Sequence, residues 1–328
     1  MKRIIVLISL MVFFLPAYAI KADKIIIFGD SLSDNGNLYA RTLHFVPKSP
    51  IYYNGRFSNG RVWVEELATN LQLNPDDVNQ LSDYAYGGSW AEPFADSHSL
   101  IIPGLSSQVA SYMKAAKNDQ HIADHLFIIW SGGNDYLKGR SNMDYATTNT
   151  VNAIFHEVDT LIAFGAKQIL LMNLPDLGKT PYAMNHDDKS HASHLSLLSQ
   201  LHNQKLRQQV IDGDVERSLA KIYFFDVYSY VNNAIEHPED FGIRNVKEAC
   251  YQGSYLPWGR KEKSDDLYAL QKMNIDVMSE PALEEAFLNG LSMVEPCANP
   301  DEYLYWDRVH PTHAVDKILA KQVADLLA

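Results

Sequence analysis

The chain has 328 residues, of which 46% are hydrophobic and 21% charged, with a formal net charge of −12. That is a globular composition, long enough to bury a core without covalent staples. The acidic balance and the lack of basic clusters exclude nucleic acid held through its phosphates, and also a polybasic hold on anionic lipid.

The first nineteen residues read as a signal peptide. Lys2 and Arg3 supply the positive region, Ile4 to Leu15 the apolar region, and Pro16 with Ala17-Tyr18-Ala19 the cleavage site. The apolar run is short for a membrane span, which leaves an uncleaved anchor as the alternative. The segment carries two of the 28 basic residues and none of the 40 acidic ones, so its removal takes the net charge to −14. The expectation is an exported protein, secreted or periplasmic, with residues 20–328 forming a single domain.

Ile25 to Phe28 predicts a buried strand that stops at Gly29-Asp30-Ser31, a turn presenting a hydroxyl at the carboxyl edge of a sheet. A short helix is expected at Leu38 to Leu43. A loop rich in Pro, Gly and aromatics follows, with Tyr52, Tyr53 and Phe57. Arg61 to Leu71 has helical periodicity. Leu81 onward reads as a strand entering Gly87-Gly88, and Leu105 to Ala116 as a helix. Leu126 to Trp130 is a further strand, ending in Gly132-Gly133-Asn134-Asp135. A long helix is predicted over Tyr145 to Phe164, stopped by Gly165. Lys167 to Asn173 and Ile222 to Asp226 are strands, with a helix over His191 to Leu219 between them. Five strands alternating with helices predict a doubly wound, mostly parallel α/β sheet.

Residues 236–303 break that rhythm and read as an insertion beside the site. It contains a charged run from Arg260 to Asp266, expected to be exposed, and a helix at Pro281 to Leu288. It also holds the two cysteines. In an exported chain Cys250 and Cys297 read as a disulfide, the alternative being two free thiols. Thr312 to Leu327 packs back as a final amphipathic helix.

Ester cleavage at a serine needs a nucleophile, a base, a group that orients the base, and donors for the oxyanion. Ser31 is the candidate nucleophile and His310 the candidate base. Asp307, three residues earlier, is near enough to meet the imidazole within a local turn. The backbone N–H groups of Ser31 and Gly88 and the amide of Asn134 are the candidate oxyanion donors. Each signal is weak alone; four of them in order at the ends of parallel strands are not.

Phe28-Gly29-Asp30-Ser31-Leu32-Ser33-Asp34, Tyr86-Gly87-Gly88-Ser89, Gly132-Gly133-Asn134-Asp135 and Asp307-Arg308-Val309-His310-Pro311 resemble the four blocks of the GDSL/SGNH hydrolase family. Asn35-Gly36-Asn37, the signal segment and the late cysteine pair resemble its secreted bacterial lysophospholipase A and glycerophospholipid–cholesterol acyltransferase branch. The resemblance implies a flavodoxin-like sheet and roles for Ser31, Gly88, Asn134, His310 and Asp307. It also implies no metal or other cofactor. The implied substrate is a fatty-acyl ester of a phospholipid or lysophospholipid, met transiently at a membrane or micelle surface, with acyl transfer to an alcohol such as a sterol as an accompanying reaction. It further implies that a protease cutting within the Cys250–Cys297 loop switches the enzyme on. A small-acyl carbohydrate or aryl esterase, and a catalytically silent binding protein on the same fold, are the alternatives.

Trp90 departs from the family pattern by its bulk and is expected to narrow or line the site. Tyr52, Tyr53, Phe57 and Trp90 are candidates for an apolar acyl pocket, or for plain core. His313 is the weaker choice of base. His186, His191, His194 and His202 read as a solvated helix face rather than a metal site, and Asp30 as a support of its own turn.

Overall fold

A computed structural model of the protein describes residues 22–93, 102–213, 217–252, 268–272, 281–290 and 294–328. The proposed signal segment and the charged run at 260–266 lie outside the described residues.

Five strands form the central sheet: β1 (Lys24–Gly29), β2 (Leu81–Asp83), β3 (His125–Trp130), β4 (Gln168–Met172) and β5 (Lys221–Phe225). They run in the order β2-β1-β3-β4-β5, and every pairing is parallel. This is the flavodoxin-like order, in which chain reversal beside β1 leaves a crevice at the carboxyl edge. A strand buried on both faces needs an apolar side chain at every position, which is what Ile25 to Phe28 supplies. Ile25 and Ile27 point into one layer, with Trp63, Leu67, Val227, Leu319 and Val323. Ile26 and Phe28 point into the other, with Val109, Tyr112, Val158 and Leu206.

The helices are α1 (Asn37–Arg41), α2 (Trp63–Asn70), α3 (Leu105–Ala115), α4 (Met143–Phe164), α5 (Pro181–Met184), α6 (His191–Asp212), α7 (Val227–Glu236), α8 (Pro281–Gly290) and α9 (His313–Leu327). Helix α4 begins where the Asn142 side chain accepts from Tyr145 N, and ends at Gly165 with φ 119°. The sequence suggests α6 running on to Leu219. It stops instead at Asp212, capped at Gly213, and Lys221 already belongs to β5.

The histidine reading of α6 also needs correction. His191, Leu195, Leu198, His202 and Leu206 are all buried, at helical spacings of four, seven, eleven and fifteen. The imidazoles fill two places of a core stripe, so this face is packed rather than solvated.

The disulfide joins Cys250 to Cys297, and both flanks of the loop are anchored. Short strands β6 (Asn245–Ala249) and β7 (Tyr303–Tyr305) pair in parallel as a second sheet. Their few residues mix polar and apolar side chains without a periodic signal, which is why the sequence shows only an irregular insertion there. Within the loop, α8 buries Ala282, Leu283, Ala286 and Phe287 against the body of the domain. Among the described residues no helix is long and apolar enough to cross a membrane.

Candidate active site

Gly29 closes β1 against β3 so tightly that a Cβ there would lie 2.3 Å from the Trp130 carbonyl oxygen. The chain then turns on Asp30, whose carbonyl accepts from Ser33 N and Asp34 N while its Oδ1 accepts from Leu32 N at 3.1 Å. This bears out the support role expected of Asp30, and it aims Ser31 out of the sheet edge. Burial pushes the Asp30 carboxyl up to about 6 against the pull of the Leu32 N–H and the His310 charge.

The far end of the chain meets this turn. Asp307 Oδ1 accepts from Val309 N at 2.8 Å and from His310 N at 2.7 Å, a local turn that folds the imidazole back over its own carboxylate. His310 Nδ1 lies 2.8 Å from Asp307 Oδ2, and His310 Nε2 lies 2.8 Å from Ser31 Oγ. All three residues are buried. Burial by itself would raise the Asp307 carboxyl; the His310 charge, its ring hydrogen bond and the two N–H groups outweigh that and hold it below the usual range. Phe57 stacks obliquely on the His310 ring at 5.0 Å. His313 is elsewhere, its Nδ1 2.8 Å from the Arg61 carbonyl.

Three loops converge on the other side of Ser31. Asp34 Oδ2 accepts from Gly87 N at 2.8 Å, joining the serine turn to the double-glycine loop. Asn134 Nδ2 donates to Ser89 O at 2.9 Å, and Asp135 accepts from Ala91 N and Glu92 N. Gln108, on α3, accepts from Gly29 N and donates to both Gly29 O and Ser89 Oγ. Gly88 has φ +74°, and a Cβ there would lie 2.6 Å from Leu283 of α8. That backbone conformation and that closeness both require glycine.

An apolar cavity of about 750 Å³, counting its open mouth, adjoins the serine. Ser31, Asn134, Leu177, Val231, Leu319 and Ala282 are on its wall. The aromatic candidates are not on it. Tyr52 is hydrogen-bonded to Asp307, Phe57 lies on His310, Tyr53 is 41% exposed, and Trp90 has Lys138 over its ring. The pocket opens between the sheet edge and helices α7 and α9, not beneath the Tyr52–Phe57 loop, so its aromatic wall residues are Trp130, Tyr230 and Tyr305, set among aliphatic side chains.

Two further features carry little sequence signal. Gln108 looks like any helical polar residue, and only its burial shows that it ties two loops together. The cover by Ala282 and Leu283 comes from a helix about 250 residues from Ser31. As for metal ligands, Asp23, His121 and Asp124 bring ligand atoms within 4.8 Å of one another, but all three are exposed and sit at the opposite, amino-terminal edge of the sheet.

The GDSL-like lipase/acylhydrolase family matches residues 25–323. A phosphatidylcholine-sterol acyltransferase of Aeromonas hydrophila is 31% identical over 325 residues, covering 95% of this chain and 91% of the relative. The thermolabile hemolysin of Vibrio parahaemolyticus is 24% identical, covering 92% of this chain and 63% of the relative. A GDSL esterase/lipase of Arabidopsis thaliana is 23% identical, covering 94% of this chain and 92% of the relative.

Proposed function

The chain belongs to the GDSL-like lipase/acylhydrolase family, and on that premise we propose that it is an exported hydrolase cleaving fatty-acyl esters of phospholipids or lysophospholipids through an acyl-enzyme. The observation that carries the chemistry is the line Ser31 Oγ, His310 Nε2, His310 Nδ1, Asp307 Oδ2, with both gaps at 2.8 Å. A nucleophile, its base and the base's orienting group stand in hydrogen-bond reach of one another.

In this reading Ser31 Oγ attacks the ester carbonyl carbon as His310 Nε2 takes the hydroxyl proton. Asp307 keeps Nδ1 protonated and steadies the imidazolium. The N–H groups of Ser31 and Gly88, and the Asn134 amide hydrogen not given to Ser89, face the carbonyl oxygen as its charge develops. The tetrahedral adduct collapses, the C–O bond to the alcohol breaks, and His310 returns the proton to that oxygen. Water then attacks the Ser31 ester by the same route, giving fatty acid and free serine. An alcohol in place of water gives a new ester, and the sterol acceptor in the name of the Aeromonas relative makes such transfer part of the proposal. The apolar wall beside Ser31 supports a long acyl chain over an acetyl group.

The disulfide fits an oxidising compartment and thus export, secreted or periplasmic. The protease reading gains support from α8. Leu283 lies on Gly88 and Ala282 on the cavity wall, and Cys250–Cys297 would keep the two ends joined after a cut between them. Contact with a membrane or micelle is proposed as transient, since an acidic protein has no electrostatic hold on anionic lipid.

The test is turnover of lysophosphatidylcholine and of p-nitrophenyl acetate by the parent and Ser31→Ala, before and after limited proteolysis within 251–296. Ser31-dependent release of long-chain fatty acid, rising on cleavage, is the expected result. Turnover of the acetyl ester alone points instead to the small-acyl esterase, and no Ser31-dependent turnover to a binding protein.

A further inference from the structure

Tyr52 stands outside both the cavity wall and the four sequence blocks, yet it touches the orienting carboxylate. Its hydroxyl is 2.8 Å from Asp307 Oδ2, and the side chain is fully buried. The same hydroxyl oxygen lies 3.1 Å from Asn289 Nδ2, and that nitrogen lies 3.1 Å from Glu285 Oε1. Asn289 and Glu285 are one turn apart on α8, inside the disulfide loop.

The polarity of this chain follows from donor counting. A phenol has one proton to give, and an amide NH2 only donates. With Glu285 ionised, the Asn289 amide turns its nitrogen toward it, because the reverse orientation would set Oδ1 against Oε1, two acceptors face to face. Tyr52 therefore accepts from Asn289, and its single proton is left for Asp307. Burial, followed by the charges of Asp307 and Glu285, raises the Tyr52 phenol well above its usual range, so it keeps that proton at any working pH.

We infer that Tyr52 is a positioning residue for Asp307, and that α8, through Asn289, sets the direction in which it acts. The inference rests on the Ser31–His310–Asp307 reading above. Without Tyr52, Oδ2 answers to His310 alone. The carboxylate is then free to tilt, and with one donor fewer it draws harder on the proton at His310. The other ionisable groups facing this pair are Asp30, Glu285 and Arg308.

The experiment compares the parent with Tyr52→Phe, Asn289→Ser and Ser31→Ala in the full, uncut chain. It records kcat and KM separately for a short p-nitrophenyl ester, and the labelling rate of Ser31 by a fluorophosphonate, from pH 5 to 9. Rates are normalised to titratable active sites. For Tyr52→Phe the acidic limb should move up by about half a pH unit or more, and kcat should fall roughly 3- to 10-fold with KM little changed. Asn289→Ser should move the limb the same way by less, since the tyrosine keeps its proton but loses its direction. A packing defect alone lowers the melting temperature and the titratable fraction while leaving the limb in place. A Tyr52→Phe profile superimposable on the parent's overturns the inference, as does an unmoved Asn289→Ser limb if Tyr52→Phe does not fold. Turnover surviving in Ser31→Ala would overturn the triad reading instead.

Discussion

The Asp307–His310 turn and helix α8 both close over Ser31, and they do so by opposite means. The turn is held by directed bonds: Asp307 alone takes two backbone N–H groups, the His310 ring and the Tyr52 hydroxyl. Helix α8 is held mainly by apolar contact, with Leu283 and Phe287 almost wholly buried. Hydrogen bonds between buried charged groups fix angles and are costly to leave half made. Hydrophobic contact is non-directional and can be released as a unit. The difference teaches that the proposed catalytic groups are fixed in a frame of directed bonds, while the helix lying over them is held by contacts that fix no angle.

That contrast can be broken first at the directed side. Ser31→Ala should lower kcat by on the order of 10⁶, and Asp307→Asn by about 10⁴, with the fold retained in circular dichroism. A small loss for either would mean that the frame does not carry the reaction. Asn134→Ala comes next, with a loss in kcat of about 10²–10³ for one oxyanion donor. Because Asn134 also donates to Ser89, a drop in melting temperature of a few degrees should accompany it.

The apolar side answers to smaller changes. Leu283→Ala should weaken α8 docking by about 2–5 kcal/mol, since the side chain is fully buried. Fluorophosphonate labelling of Ser31 in the uncut chain should then speed up, the reverse of the frame mutants. A slower rate would mean that α8 shapes the site rather than covering it.

The smallest effect concerns the polar edge of the cover. Burial, then the Asp307 charge, raises the Glu285 carboxyl in the folded state, with the nearby Arg308 opposing. A carboxyl raised by folding contributes most below its unfolded value and loses that contribution as pH climbs through the folded one. Amide hydrogen exchange in α8, corrected for intrinsic rates, should thus quicken modestly from about pH 5 to 7, and Glu285→Gln should flatten the trend. Flat exchange in the parent would detach Glu285 from the docking of α8.

How much of this is legible in the chain depends on distance. Each of the five strands announces itself through an unbroken apolar run or a glycine stop, and their alternation with helices suffices for the parallel sheet. Ser31, Gly88 and Asn134 are legible because each follows such a strand within a few residues. His310 and Asp307 are legible as a pair because three residues separate them. Helix α6 is misread where two histidines occupy core positions, since composition cannot tell a buried imidazole from a solvated one. The β6–β7 pair is missed because its few strand residues show no period.

The sequence by itself determines the doubly wound sheet, the turn that carries Ser31 and the cysteines available to close the late loop, because all of these rest on near-neighbour signals. Only the tertiary structure decides that the cavity wall is drawn from helices α7 and α9 and the sheet edge, not from the aromatics of the Tyr52–Phe57 loop. It alone brings Gln108 to two loops at once, and sets Leu283 on Gly88 and Tyr52 on Asp307. The last two contacts join residues 195 and 255 positions apart. Their partners are chosen by which surfaces meet once the sheet is formed, a choice no local spacing records.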